Sequence, residues 1–287
     1  SRAHLELLSP VVDEALAKAG VLPGDLDAVA ATIGPGLIGS LLVGVSAAKG
    51  YAWAWGLPFV GVNHMEGHLH AAFLEDPELS LPTVVLLVSG GHTMLISMQG
   101  NGGKVRYHLL GQTVDDAAGE AFDKVARYLG LGYPGGPAIE LAAQGGRPDA
   151  IAFPRGLAGA GYDFSFSGLK TSVVRYVQAH PEGAVADVAA SFQEAVVDVL
   201  VTKTRKAAQE VGAKAICIGG GVAANTSLRE RVRQVCAADG RSAFIPSRAM
   251  CTDNAAMIGA TAWYRLLADG PTPLDAVVDP NLELPLS

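Results

Sequence analysis

A mixed α/β fold is predicted for this 287-residue chain by three observations. Short β-rich apolar runs alternate with segments whose apolar residues recur at helical spacing. Two of those runs end on glycine clusters, Ser89-Gly90-Gly91-His92 and Gly219-Gly220-Gly221, the punctuation of tight turns. Hydrophobic residues make up 49% of the chain and charged residues 17%, which supplies a core for about two domains and excludes a disordered chain.

Taken in order, Ser1 opens into an amphipathic pattern with Leu5, Leu8, Val12, Ala15 or Leu16 and Ala19 on one face, which predicts a helix. After a Pro23-Gly24 turn, Asp27 to Ile33 reads as a buried strand and Leu37 to Trp55 as a largely buried helix. The uncharged stretch from Ala28 to Ala48 has the length of a membrane span, but Gly34-Pro35-Gly36, Gly39 and Gly44 break it into strand, turn and helix. Pro58 to Asn63 is a short strand that feeds a helix starting near Asn63. Thr83 to Ser97, interrupted only by Ser89-Gly90-Gly91-His92, reads as a hairpin. Gly119 to Leu129 is helical, with Phe122, Val125, Ala126 and Leu129 at core spacing, and Gly130 to Gly161 is loop-rich around one short helix. Ser191 to Val211 is a long amphipathic helix, Ala213 to Ile218 a strand, and Gly219-Gly220-Gly221 a turn into a helix from Thr226 to Ala237. Ala243 to Pro246 is a last short strand and Asp253 to Leu267 a last helix.

Acids outnumber bases 28 to 21, for a formal net charge of −7. Whole-surface attraction to phosphate is thereby excluded, and nucleic acid would have to meet a local basic patch or a partner that supplies one. The three cysteines, Cys217, Cys236 and Cys251, lack CxxC spacing, which argues against a disulfide framework or thiolate zinc site and for a reducing cytoplasmic setting. No basic segment precedes an apolar run at the start, so no signal peptide is expected.

The sharpest chemical signal is His64-Met65-Glu66-Gly67-His68. On a helix the two histidines are i and i+4 and can share a metal. The alternative is a pair of half-buried structural histidines, and His70 adds a third imidazole that need not be used. A zinc peptidase places its glutamate directly after the first histidine. Glu66 stands two residues from each, roughly 200° round the helix, so a peptidase would lack its base.

The two glycine turns could each bring backbone N–H groups to a phosphate, or be ordinary tight turns. The second also enters a helix N-terminus, which favours anions. Neither fits a P-loop or a dinucleotide fingerprint. Among isolated polar residues, Asp123 could bind a sugar hydroxyl or pair with Arg127 at i,i+4. Asp253 and Asn225 stand where helix N-caps are expected. The basic clusters Lys203-Thr204-Arg205-Lys206 and Arg229 to Arg233 read as solvated helix faces.

Taken together, HMEGH, LLVSGGHT, DDAAGEAFDKVARYLGLGYPGGP, FSFSGLKT, GGGVAAN and CTDNAAMIG, in this order, closely resemble the tRNA N6-adenosine threonylcarbamoyltransferase family over nearly the whole chain. The resemblance implies an actin-like, sugar-kinase-like (ASKHA) fold of two related α/β lobes with the active site in the cleft. The expected lobes are residues 1–81 with 252–287, and 82–251. The implied activity is transfer of the threonylcarbamoyl group from threonylcarbamoyl-adenylate to N6 of adenosine 37 in tRNAs reading codons that begin with A, with release of AMP.

Carried over by position, His64, His68 and Asp253 become metal ligands, which moves Asp253 from cap to ligand, and the implied divalent metal is Fe2+ or Zn2+. Leu87, Val88, Ser89, Gly90 and Gly91 resemble the loop lining the acyl and phosphate region. Asp123 and Gly136 match nucleotide contacts, Glu140 is a candidate at the ribose, and Asn225 matches a contact on the adenine or ribose side. The implied partners are tRNA, a TsaB-like paralogue and a TsaE-like ATPase. The apolar helix from Leu37 to Trp55 is a candidate face for such a partner, with burial in the chain's own core as the alternative.

Family members open with a strand, a loop containing glycine or an acid, and a hairpin, none of which precedes Ser1, so this chain is expected to be a fragment. If nothing precedes Ser1, exposed strand edges, poor stability and little catalysis would follow. The rival classes are a metal-dependent peptidase needing Glu66, a kinase of the same fold that does without the histidine pair, and a non-catalytic nucleotide-binding scaffold.

Overall fold

The computed structural model describes residues 2–75, 80–101, 104–159 and 161–286. Two units emerge from it, one formed by residues 1–74 with 254–285 and the other by residues 75–253 with 286–287.

In the first unit, β1 (Val29–Gly34) and β2 (Phe59–Asn63) pair in parallel, with Val29 opposite Phe59 and Thr32 opposite Val62. Side chains alternate across this pair as the pleat requires. Val29, Ala31, Ile33 and Phe59 pack against Val45, Ala48 and Ala52 of α2 (Ile38–Trp55). Ala28, Ala30, Val60 and Val62 pack on the other face against Ile258, Ala262 and Leu266 of α10 (Ala255–Asp269).

The predicted buried strand at 27–33 is corrected here. Every β2 residue is buried, whereas β1 is half-buried up to Gly34. The largely buried helix at 37–55 is corrected too. α2 buries a single stripe, Leu41, Val45, Ala48 and Ala52, and leaves Leu37, Leu42 and Trp53 in solvent.

The opening helix, α1 (Arg2–Ala19), is similarly narrower in its contacts than its pattern predicts. Leu8, Val12 and Leu16 are half-buried, while Leu5, Ala15 and Ala19 are exposed. Ser1, where that pattern begins, lies outside the described residues. The final segment laces along the sheet. Thr272 N–H donates to Phe59 O at 2.8 Å, Gly61 N–H donates to Thr272 Oγ1 at 2.9 Å, and Asp279 N–H donates to Ile33 O at 2.9 Å.

The second unit is built on a five-stranded sheet in the order β5-β4-β3-β6-β7. β3 (Thr83–Val88) pairs antiparallel with β4 (Thr93–Asn101) through the predicted hairpin, and parallel with β6 (Ala215–Gly219). β5 (Lys104–Gln112) and β7 (Ser242–Phe244) close the edges. The central strands are buried on both faces, hence their unbroken apolar runs.

Val84, Leu86, Val88 and Leu95 share a core with Phe122 and Val125 of α4 (Ala118–Tyr128), Ile139 of α5 (Gly135–Ala143), Leu169 of α6 (Ser167–Ala179) and Phe192, Val196 and Leu200 of α7 (Val185–Glu210). Phe122 and Phe192 meet edge to face at 5.2 Å. α8 (Thr226–Asp239) joins through Leu228 and Val232, and α9 (Arg248–Cys251) through Cys251. Among the described residues no helix is long and apolar enough to cross a membrane.

Candidate active site

Asn63 starts α3 (His64–Glu75) as a local consequence of sequence. Its Oδ1 accepts the N–H groups of Met65 at 2.9 Å and Glu66 at 3.3 Å, and its Nδ2 donates to Glu283 O at 2.8 Å. The helix therefore begins with His64, and His68 follows one turn on. Their rings meet edge to face with centroids 4.8 Å apart.

Asp253 directly precedes Asn254, the N-cap of α10, whose side chain accepts Met257 N–H at 2.9 Å. The capping role open to Asp253 in the sequence thus falls to its neighbour. One ligand atom from each of His64, His68 and Asp253 lies within 4.8 Å of the others, with His68 buried, His64 half-buried and Asp253 exposed. Two imidazoles and a carboxylate are a donor set suited to a divalent transition metal with coordination positions left open, and these residues fit one.

Glu66 is not aimed at that cluster. Its Oε2 accepts Arg265 Nε–H at 2.8 Å. His70 lies outside the cluster as well, buried edge to face against Tyr264 at 5.1 Å. Burial, and secondarily the Arg265 guanidinium, pushes the His70 imidazole down to about 4, so it is neutral at physiological pH.

In the second unit, the turns after β3 and β6 lie close together. A Cβ on Gly220 would stand 2.5 Å from Val88 O, and the backbone there has φ of +85°, which favours glycine. A Cβ on Gly119 would stand 2.5 Å from Ser89 O, so the first turn of α4 also abuts the β3 loop. Ser89 N–H donates to His92 O at 2.8 Å and His92 N–H donates to Ser89 Oγ at 3.1 Å, which braces that loop. Leu87 and Val88 are fully buried, so only their backbone could face a ligand, whereas Gly90 and Gly91 are exposed.

The Asp123 carboxylate is held by the backbone of the element that follows. Its Oδ1 accepts Gly135 N–H at 2.7 Å, tying α4 to the start of α5, where half-buried Gly136 follows. Glu140 Oε1 accepts Thr226 N–H at 3.0 Å, so α5 is joined in turn to the start of α8. Asn225 caps α8, accepting Leu228 N–H at 3.0 Å, and donates to Gln193 Oε1 at 2.8 Å. Contacts thus run from the Gly90 loop to Gly119 of α4, from Asp123 to the start of α5, and from Glu140 to the start of α8 beside Asn225.

Two acids within the DDAAGEAFD motif escaped individual notice. Asp115 accepts Phe166 N–H at 2.8 Å and the Ser165 hydroxyl at 2.5 Å, capping α6. Asp116 accepts Lys124 Nζ and Lys170 Nζ, each at 2.8 Å. Burial tends to raise the Asp116 pKa, but the two ammonium groups outweigh it and hold the carboxyl below the usual carboxylate range. The signal was available: DDAAGEAFD and FSFSGLKT each carry complementary charge, and this pair joins them.

Parallel strands ending side by side on glycine turns, next to helix N-termini, belong to the actin-like and sugar-kinase-like class. Solved structures agree on the fold. HypF from T. kodakarensis aligns with a TM-score of 0.63 at 17% identity, over 82% of this chain and 40% of that one. Full-length HypF in its phosphate- and nucleotide-bound form gives 0.62 at 13% identity, over 86% and 48%.

Sequence supplies the family. The family model for tRNA N6-adenosine threonylcarbamoyltransferase (TsaD) matches residues 1–260, and this chain belongs to that family. A tRNA N6-adenosine threonylcarbamoyltransferase of Symbiobacterium thermophilum is 52% identical over 287 residues, which cover 99% of this chain and 83% of that protein.

Proposed function

We propose that this chain transfers the threonylcarbamoyl group of threonylcarbamoyl-adenylate to N6 of adenosine 37 in tRNAs reading ANN codons. The observation that carries the reading is the convergence of His64, His68 and Asp253 in a chain 52% identical to an enzyme of that name. In the reaction the adenosine amine attacks the carbamoyl carbon, forming a C–N bond. The C–O bond to the adenylate phosphate breaks, AMP leaves with the electron pair, and N6 gives up one proton.

His64, His68 and Asp253 would hold the divalent metal, Fe2+ or Zn2+, which supplies Lewis-acid polarisation and orientation when bound. The chain's own part is preorganisation. At the exposed end of the Leu87–Gly91 segment, Gly90 and Gly91 offer N–H groups to the acyl and phosphate oxygens, as an oxyanion site does, while Leu87, Val88 and Ser89 hold the loop in place through the sheet and the Ser89–His92 bond. Asp123 keeps one carboxylate oxygen on Gly135 N–H, leaving the other for a ribose hydroxyl. Gly136 lets the nucleotide approach the start of α5, while Glu140 and Asn225, engaged with Thr226 and Leu228, hold the α8 terminus where the adenosine end would lie. The peptidase alternative has no support here, since the base it needs, Glu66, is bound to Arg265.

The proposed partners are tRNA, a TsaB-like paralogue and a TsaE-like ATPase, in a cytoplasmic setting. The exposed Leu42 and Trp53 of α2, with Leu37 just before it, support a protein partner. A direct test is AMP release from preformed threonylcarbamoyl-adenylate in the presence of unmodified tRNA and the partners. Release that requires tRNA and is lost in His64→Ala supports the assignment, and release unaffected by that change refutes it.

A further inference from the structure

α3, which bears His64 and His68, and α10, which begins just after Asp253, share a contact that the reaction does not use. Glu66 lies midway between His64 and His68, is 5% exposed, and pairs with Arg265 at 2.8 Å. Arg265 stands on α10, about three turns beyond the Asn254 cap. Between these points α3 and α10 touch closely. A Cβ on Gly67 would stand 2.9 Å from Ile258 Cδ1, and the Thr261 hydroxyl lies 3.5 Å from Glu66 O.

The residues of α10 buried near this contact are Met257, Thr261 and Ala262, a mostly apolar face. Apolar burial is non-directional and does not by itself single out one register of α10. A slip of one residue would turn the helix by about 100° and carry its N-terminal end away from the histidines. A charge-assisted hydrogen bond is directional, and here a buried carboxylate meets a half-buried guanidinium, a pair better suited to fixing register than to adding stability.

We propose that Glu66–Arg265 is a positioning pair: it sets the register of α10 on α3 and so keeps Asp253, the residue before the α10 cap, opposite His64 and His68. This rests on the metal reading of those three residues, and the test separates the two.

Co2+ serves as the probe, titrated into the metal-free full chain and followed by its visible absorption, with Glu66→Gln, Arg265→Met, Arg265→Lys and His64→Ala alongside. Circular dichroism fixes a temperature at which each variant compared is folded. The expected result is loss of the Co2+ signal in His64→Ala and a Kd raised about 10–100-fold in Glu66→Gln and Arg265→Met, the range for groups that orient metal ligands. Arg265→Lys, which keeps the charge, should lie between these variants and the unchanged chain. If Glu66→Gln and Arg265→Met do not fold, the Lys variant alone decides: a Kd raised several-fold supports the proposal, and an unchanged one overturns it. Folded Glu66→Gln with a Kd within twofold of the unchanged chain and a lower melting temperature would show a purely structural pair and overturn the proposal. Undiminished Co2+ binding by His64→Ala would overturn the metal reading, and this inference with it.

Discussion

The Asp123 carboxylate accepts the N–H of Gly135 at 2.7 Å, and a Cβ on that glycine would stand 2.4 Å from Asp123 Cα. One side chain and one absent side chain thus bring α4 and the start of α5 together. Asp123→Ala should cost about 1–2 kcal/mol through the lost cap. It should also raise KM for threonylcarbamoyl-adenylate while leaving metal content unchanged. Urea unfolding and steady-state kinetics read the two effects separately, and an unchanged KM would remove Asp123 from the nucleotide site.

The glycine turns divide by what a methyl group would meet. Gly119→Ala and Gly220→Ala place Cβ 2.5 Å from Ser89 O and Val88 O, so each should lose about 1–3 kcal/mol or more as the backbones are pushed apart. Gly90 and Gly91 have nothing within 4 Å of an added Cβ. Gly91→Ala should therefore melt like the unchanged chain and bind AMP more weakly, a loss that only a ligand on that loop explains. AMP titration with parallel thermal melts decides.

Asp116 makes stability depend on pH. Its folded pKa is depressed, since Lys124 and Lys170 outweigh burial. Its stabilising contribution is therefore present above the ordinary carboxylate pKa of about 4 and lost as pH falls through the folded value. Asp116→Asn should lower stability near pH 7 by about 1 kcal/mol, less at high salt because both lysines are partly exposed. The gap should begin to narrow below about pH 4 and close once pH is below the depressed folded value. Chemical denaturation across pH would show a constant gap if the ion pairs contribute nothing.

Trp53 is 80% exposed on α2. Trp53→Glu should change the stability of the isolated chain by no more than about 0.5 kcal/mol. If the face meets a TsaB-like partner, the same change should abolish co-purification. Intact co-purification would place that interface elsewhere.

Much of the fold was legible because period and punctuation agreed. The β3–β4 hairpin around Ser89-Gly90-Gly91-His92 and the α7–β6–turn–α8 succession follow from apolar runs bounded by glycine. β5 is not legible from period alone, because Arg106 and His108 interleave with its apolar residues and it lies at a sheet edge. α6 went unassigned because its start is set by Asp115, some fifty residues earlier in the chain. The i,i+4 histidine pair was readable from spacing, while Asp253 stood as an N-cap candidate until family resemblance moved it. Spacing could not show that Asn254 takes the cap, or that Glu66 finds Arg265 across 199 positions. The single buried stripe of α2 is not legible because an apolar composition does not say which face has a neighbour.

The most direct test of transferase activity at the His64, His68 and Asp253 site is mass spectrometry of nucleosides from unmodified tRNA. The tRNA is incubated with this chain, the partner proteins and preformed threonylcarbamoyl-adenylate, with His64→Ala as the comparison. Threonylcarbamoyladenosine formed by the unchanged chain and absent with the variant is the predicted result. Equal amounts from both would contradict it.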